Sequence, residues 1–567
     1  MSREIPSATY RLQLSRRFDL DEARRVLPYL DRLGVDTVYL SPVFSARPGS
    51  SHGYDGVDPR RIDADRGGPS AFRRLCRALE RRRMGLLLDI VPNHLAASLE
   101  NPAWVDVLRR GPRSRYSGLF DIDWSRSSSV PVVVLPWLDR DAASAFAAGT
   151  LRWEWRRRTL SLRWNGATLP GSIAASRRFR AWVRGSGPIE RRGVARSAAS
   201  RAGALLQRLN EGRTPGAKAQ RDRLLEDLHY RLIPWWRVEE INYRRFFDIA
   251  GLVGVRSGEP LGFEFMHRGL RWVQTVAPSR FGVRVDHVDG LADPRAYLEQ
   301  LAAALRKGAA RQRRRSPYLI VEKILAWDER LPATWPVGGT TGYDALARIG
   351  GVLVPARAPP LLEEAYQIAC AGESSPFAEV AFRGKCDVQD TLFRGERAAL
   401  CALAEHERPP GASSNEAPNF SRTLTALTAA LPTYRTYGRA GGRLGREDRR
   451  WLDRARSTLR LHQPGARPDP SVWSPRVEPS AKRARLGSSR PRSFLLHWQQ
   501  YSSAVAAKGI EDTAFYRDAR WIGANEVGGD PATIAVSVDE FHRFQQERMR
   551  RAGPTLTPTS THDTKWG

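Results

Sequence analysis

Three stretches of the chain run through apolar residues into a carboxylate: LLLDIVPNH at 86–94, VRVDHVDG at 283–290 and LIVEKIL at 319–325. A fourth, PTSTHDT at 558–564, holds the His-Asp pair 562–563. Continuous apolar runs read as strands buried on both faces, and an ionisable residue ending one is out of place in a core. A single such residue reads as a helix cap or a surface ion pair; four in this order read as a site. Asp286 and Glu322 offer one carboxylate as nucleophile and one as general acid/base, with Asp563 and Asp89 as further acids. Glycosyl transfer through an oxocarbenium-like transition state calls for this set. Arg284 lies two residues before Asp286, hence on the same face of a strand, where a cation would keep Asp286 ionised.

The elements that must position these groups follow from periodicity. TYRLQL (9–14) reads as a first strand. Leu20, Ala23, Leu27, Leu30 and Leu33 recur at helical spacing, with a kink expected at Pro28 and a stop at Gly34. VDTVYLSPVF (35–44) reads as a second strand, and Phe72, Leu75, Cys76 and Leu79 mark the helix before the strand ending in Asp89. The rhythm stops at about 95 and resumes with FGVRVDHVDG. Asp293 and Pro294 then read as the cap and first residue of a helix carrying Leu298, Leu301 and Leu305, before the strand YLIVEKIL. Strand and helix alternating in this way predict a parallel sheet. Beyond 345 come helical patterns and a Pro/Ser/Arg-rich stretch at 462–492 that reads as a long loop.

The chain has 567 residues, more than one compact core holds. Its formal charge of +30 raises nucleic-acid binding, but only seven of 91 basic residues are Lys, and the Arg residues are scattered through every segment. The densest runs read as a hairpin with alternating faces (RWEWRRRTLSLRW, 152–164) and a solvated helix end (RQRRRSP, 311–317). No nucleic-acid partner is expected. The four Cys show no CxxC spacing, which predicts reduced thiols and neither a metal site nor a disulfide framework. The N-terminal residues lack a signal peptide's apolar core, and no 18-residue apolar run occurs, so a soluble cytoplasmic protein with no membrane partner is expected.

The four stretches, in order, resemble the four signature regions of the alpha-amylase family, glycoside hydrolase family 13. ARPGSSHGYDGVDP (46–59), EINYRRFFDIAGLVGVR (240–256), GTTGYD (339–344), KGIEDTAFYR (508–517) and NEVGGDP (525–531) are similar to one branch of it, the maltooligosyltrehalose synthases. The resemblance runs from about residue 6 to about 565. It implies an α/β fold, the (β/α)8 TIM-type barrel, with the active site at the C-terminal ends of the strands. The barrel would comprise 1–94, 281–345 and 495–567, with an inserted domain at 95–280 between the third and fourth strands and a mainly helical insertion at 346–494.

By the same resemblance Asp286 is the nucleophile, Glu322 the general acid/base and Asp563 the stabiliser of the transition state, with His562 beside it. His94 would meet a sugar hydroxyl, and Asp89 would organise Arg284 and Asp286. Tyr54, which could also be a core tyrosine, would be a platform for a sugar ring; His52 and Asp289 would be further sugar contacts. Lys508, Glu511 and Asp512 belong to a branch hallmark whose role the residues themselves do not reveal. The implied substrate is a maltooligosaccharide, isomerised by intramolecular transglucosylation without cofactor or metal. The implied pathway partner is a maltooligosyltrehalose trehalohydrolase. The family continues past the fourth region, whereas here THDTK is followed by Trp566 and Gly567, so a barrel lacking its last strand-helix unit, with unpaired strand edges, is expected. A truncated remnant, inactive or binding carbohydrate only weakly, and a glucan-hydrolysing relative of the amylase type are the alternatives.

Overall fold

A computed structural model of the chain describes residues 5–126, 130–185, 197–407, 417–439, 444–462, 493–551 and 553–565. Two compact units emerge: residues 1–94, 246–248 and 256–567 form the first, and 95–245 with 249–255 form the second. The helix Pro260–Val276, which lies within 95–280, belongs to the first unit.

The first unit is built on six strands: β1 (Thr9–Leu12), β2 (Thr37–Leu40), β3 (Gly85–Ile90), β4 (Phe281–Val285), β5 (Tyr318–Val321) and β6 (Gly339–Thr340). They lie side by side in that order, every pair parallel. Helices between successive strands from β1 to β5 make this the repeating unit of a (β/α)8 barrel, while β5 and β6 are joined without a helix. Side chains alternate between the two faces. Leu86, Leu88, Val283, Val285, Leu319 and Val321 join a core with the helices, while Tyr39, Leu87, Tyr318 and Ile320 form a separate inner cluster. That two-sided burial is why the strands read as unbroken apolar runs. Along β6 runs the extended segment 554–558: the Leu556 N–H donates to Thr340 O at 3.2 Å, and the Tyr318 hydroxyl donates to Pro554 O at 2.5 Å.

Several sequence expectations need correction. Pro28 divides the first helix rather than kinking it, giving Leu20–Arg25 and Leu27–Arg32, because proline is tolerated in a first turn and not in an interior. Leu33 then falls outside the buried face and is 55% exposed. VDTVYLSPVF is two strands: Pro42 ends the parallel pairing, and Phe44–Ala46 pairs antiparallel with Gly56–Ile62. The expected helix at 294 stands, with Asp293 accepting from the Ala296 N–H.

The first unit also carries a layer of helices at Phe377–Asp390, Arg394–His406, Ala417–Ala430, Arg446–His462 and Phe494–Ala506 around Leu427, Trp451, Leu459 and Trp498. The Pro/Ser/Arg-rich stretch expected as a loop lies, from 463 on, outside the described residues.

In the second unit the Trp- and Arg-rich run is the expected hairpin, Leu151–Arg156 against Thr159–Trp164. Its two turn residues, Arg157 and Arg158, have φ of 48° and 63°, the left-handed turn that suits the twist of paired strands. Among the described residues no helix is long and apolar enough to cross a membrane.

Candidate active site

The inner face of the sheet changes character toward the strand C-termini. Leu87 gives way to Asp89 and Gly282 to Arg284, and the register sets Arg284 beside Asp89 on one side and Ile320 on the other. Backbone pairing runs one step beyond the strands, with the Asp286 N–H donating to Ile90 O at 2.9 Å and the Glu322 N–H to Val285 O at 2.8 Å. The backbone of both carboxylate residues is thus held by the sheet.

Arg284 is fully buried at the centre. Its Nη1 donates to Asp89 at 2.8 Å and to Asp286 at 2.7 Å, and its Nη2 lies 3.3 Å from Glu322. The Nη2 contact is off the hydrogen-bonding direction, so Nη2 and Nε make no hydrogen bond among the described residues. One cation therefore faces three carboxylates. Burial, with Arg284 pulling the other way, pushes Glu322 up to about 7. Burial and then the neighbouring Glu322 push Asp286 upward as well, so the expectation that Arg284 alone would keep Asp286 ionised is too simple. The two compete for one negative charge and titrate as a pair. The Arg284 hydrogen bond goes to Asp286, which gives the charge to Asp286 and the proton to Glu322.

Asp563 and His562 come in from the far end of the chain. The Tyr343 hydroxyl donates to Asp563 at 2.5 Å, and a tight turn holds the segment, with Thr561 Oγ1 accepting from the Asp563 N–H at 3.2 Å. Burial works to raise Asp563, but His562, Arg284 and Tyr343 outweigh it and hold it below the usual carboxylate range. Burial lowers His562 to about 4, leaving the imidazole neutral at neutral pH, with its Nε2 2.8 Å from the Tyr54 hydroxyl.

Tyr54 joins these groups to the sheet. Its hydroxyl donates to Asp89 at 2.6 Å, and its ring stacks with His562 and with the exposed His52, with centroids 5.6 and 5.9 Å away. Gly53 makes this approach possible: its φ is +89°, and a Cβ there would sit 2.9 Å from Pro42 O. His94 sits 3.0 Å from Tyr54 O and stacks on Phe246 at 4.1 Å.

Nine of the ten expected residues thus gather at one place: His52, Tyr54, Asp89, His94, Arg284, Asp286, Glu322, His562 and Asp563. Asp289 does not. It is buried and bound to Lys323 at 3.1 Å and to the Tyr437 hydroxyl at 2.5 Å, because the chain after Asp286 turns at His287 (φ 43°) and points the next carboxylate away. The sequence reading missed Arg11, whose Nη2 donates to Tyr54 at 3.1 Å; Arg284 was marked by the carboxylate two residues on, whereas Arg11 is followed at that spacing by Gln13. It also missed Tyr343, Phe246 and Phe247, which lie inside quoted motifs; Phe247 and His287 meet edge to face at 5.1 Å. The segment at 508–517 opens with a widened helical turn over Ala507–Ala514, in which Lys508 pairs with Asp512 at 2.9 Å and Tyr434 donates to the half-buried Glu511. Among the described residues no cluster of three His, Cys, Asp or Glu is placed to hold a metal ion.

Comparison with known proteins agrees with this geometry. The alpha amylase catalytic domain model matches residues 18–141. A putative maltooligosyl trehalose synthase of Mycobacterium tuberculosis is 33% identical over 99% of this chain and 63% of its own length. The structure of maltooligosyltrehalose synthase from Arthrobacter ramosus superposes with a TM-score of 0.76 at 32% identity, over 99% of this chain and 63% of that one. A hypothetical maltooligosyl trehalose synthase of Sulfolobus tokodaii gives a TM-score of 0.71 at 26% identity, over 98% of this chain and 62% of that one. The chain therefore spans a little over three-fifths of the length of these relatives. With the catalytic-domain match over 18–141, the parallel sheet and the near-complete alignment of this chain in agreement, the chain is similar to the maltooligosyltrehalose synthases and to the catalytic domain of the alpha amylases.

Proposed function

We propose that the chain performs an intramolecular transglucosylation on maltooligosaccharides, converting the reducing-end α-1,4 linkage to α,α-1,1 and giving maltooligosyltrehalose by a retaining double displacement. One observation carries this reading: a single buried guanidinium, Arg284, reaches both Asp286 and Glu322 at the ends of adjacent strands. The names of the similar proteins support the same reaction.

Glu322, raised to about 7, carries the proton and delivers it to the oxygen linking the terminal glucose. Asp286 attacks the anomeric carbon and captures the rest of the chain as a covalent glycosyl enzyme. The freed glucose stays bound, turns, and presents its anomeric hydroxyl; Glu322, now a base, takes that proton as the new bond forms. Asp563, oriented by Tyr343, holds sugar hydroxyls against the cationic transition state, and Tyr54 supplies an aromatic face to the ring. His94, His52 and His562 complete the polar lining. No cofactor enters, and the product suits a trehalose-releasing hydrolase acting next.

Incubation with maltopentaose tests the reading by its reducing ends. Isomerisation removes them without releasing glucose. Hydrolysis creates them and would make the chain an amylase of the glucan-cleaving kind. No change in either would leave a chain without turnover.

A further inference from the structure

Glu322 and Lys323 are consecutive, and consecutive side chains of an extended chain face opposite ways. Glu322 turns inward to Arg284. Lys323 turns outward and is fully buried, its ammonium 3.1 Å from Asp289 Oδ2 and 3.0 Å from Glu329 Oε1, and it donates to Ile324 O at 2.7 Å. Asp289 stands three residues after Asp286. The loop leaving the nucleophile and the loop leaving the acid are therefore joined by one ion pair.

Both ends of that pair are tied further. Asp289 accepts from Tyr437 at 2.5 Å, and its backbone carbonyl accepts from Arg435 Nη1 at 2.6 Å. Glu329 accepts from the Thr433 hydroxyl at 2.7 Å and the Ala326 N–H at 2.9 Å. Gln500 donates to Gly290 O at 2.7 Å. Each bond is directional, so the cluster fixes positions as well as charge. A buried ion pair adds little stability over apolar packing of the same volume, so its value here lies in geometry.

We propose that the Lys323–Asp289 ion pair is a brace that sets the spacing between the Asp286 and Glu322 carboxylates, making Lys323 and Asp289 positioning residues that act from behind the site without touching sugar. The consequence for turnover rests on the function proposed above, since covalent attack on an anomeric carbon requires carboxylates about 5–5.5 Å apart.

Crystal structures of the 567-residue chain and of Asp289→Asn and Asp289→Glu test the brace directly. The Asn variant removes the charge at constant size. The Glu variant keeps charge and fold but is one methylene longer. Both should move the two carboxyl carbons relative to each other by about 0.5 Å or more, the tolerance of a productive site. With maltopentaose, kcat should fall about ten- to hundredfold in both while KM stays within about threefold, the split expected of misplaced catalytic groups. If the Asn variant does not fold, the Glu variant decides: a purely structural ion pair would let glutamate rescue kcat. Unmoved carboxylates in a folded variant would overturn the brace, as would kcat at the parent level. A parent chain that leaves maltopentaose unchanged would instead sink the proposed reaction, while the carboxylate separation still decides the brace.

Discussion

Two buried cations flank Glu322, Arg284 on the inner face of the sheet and Lys323 on the outer, and each has no exposed side-chain surface. Their surroundings differ. Lys323 meets two carboxylates that are themselves satisfied by Tyr437, Thr433 and a backbone N–H, with Arg435 adding a second positive charge nearby. That side is balanced and closed. Arg284 alone meets Asp89, Asp286 and Glu322, with Asp563 close by, and keeps two nitrogens without a hydrogen bond among the described residues. The inner side holds surplus negative charge and unused donors. Such imbalance disfavours a resting fold but suits a reaction in which positive charge develops on a sugar ring. One face spends its charges on holding shape; the other leaves them available to substrate.

The strongest way to break this contrast is to make the same kind of change on each face. Glu322→Gln should lower kcat about 10²–10⁴-fold, the usual weight of a positioned acid/base group, in the maltopentaose assay. Because it removes one of the crowded charges, it should also raise stability at pH 8 by about 1 kcal/mol, as read by urea unfolding. Lys323→Met should do the reverse to the fold, costing about 3–5 kcal/mol by leaving Asp289 and Glu329 buried without their cation. Equal losses of stability in both variants would erase the distinction.

Smaller effects sharpen it. Tyr343→Phe deletes the donor to Asp563, a hydrogen bond to a charged group worth about 1.5–3 kcal/mol, and should reduce kcat/KM about ten- to hundredfold with little change in Tm. The pH profile gives the finest test. With Glu322 raised to about 7 from its ordinary 4.5, the acid is protonated below about 7, so kcat/KM should fall as pH rises through that value. The sign for stability matches: a raised pKa in the folded state favours folding at low pH, and that contribution fades as pH climbs from 4.5 through about 7. Glu322→Gln should remove this part of the pH dependence of unfolding and leave the rest.

Much of the fold was legible because burial on both faces of a parallel strand forces long apolar runs, and a charge at the end of one is conspicuous. Asp89, Asp286 and Glu322 stand out this way and Arg284 by its spacing to Asp286, and the structure joins them through Arg284. Arg11 carries no such signal, since no carboxylate follows it on its own strand face. Asp289 was misread because it shares a motif with Asp286, and no linear pattern reveals that the backbone reverses at His287 and turns it outward. Pro28 was read as a kink, although only the position of the next helix start tells a kink from a boundary.

The amino-acid sequence by itself determined which residues could ionise at the strand ends and in what order the strands and helices follow, since both depend on local periodicity and composition. Tertiary structure alone decided which polar groups meet: Tyr54 with His562, Tyr343 with Asp563, and Asp289 with Lys323 and Tyr437. Those partners stand tens to hundreds of residues apart. Their protonation follows from burial and from neighbours within a few ångströms, and only the folded chain fixes either.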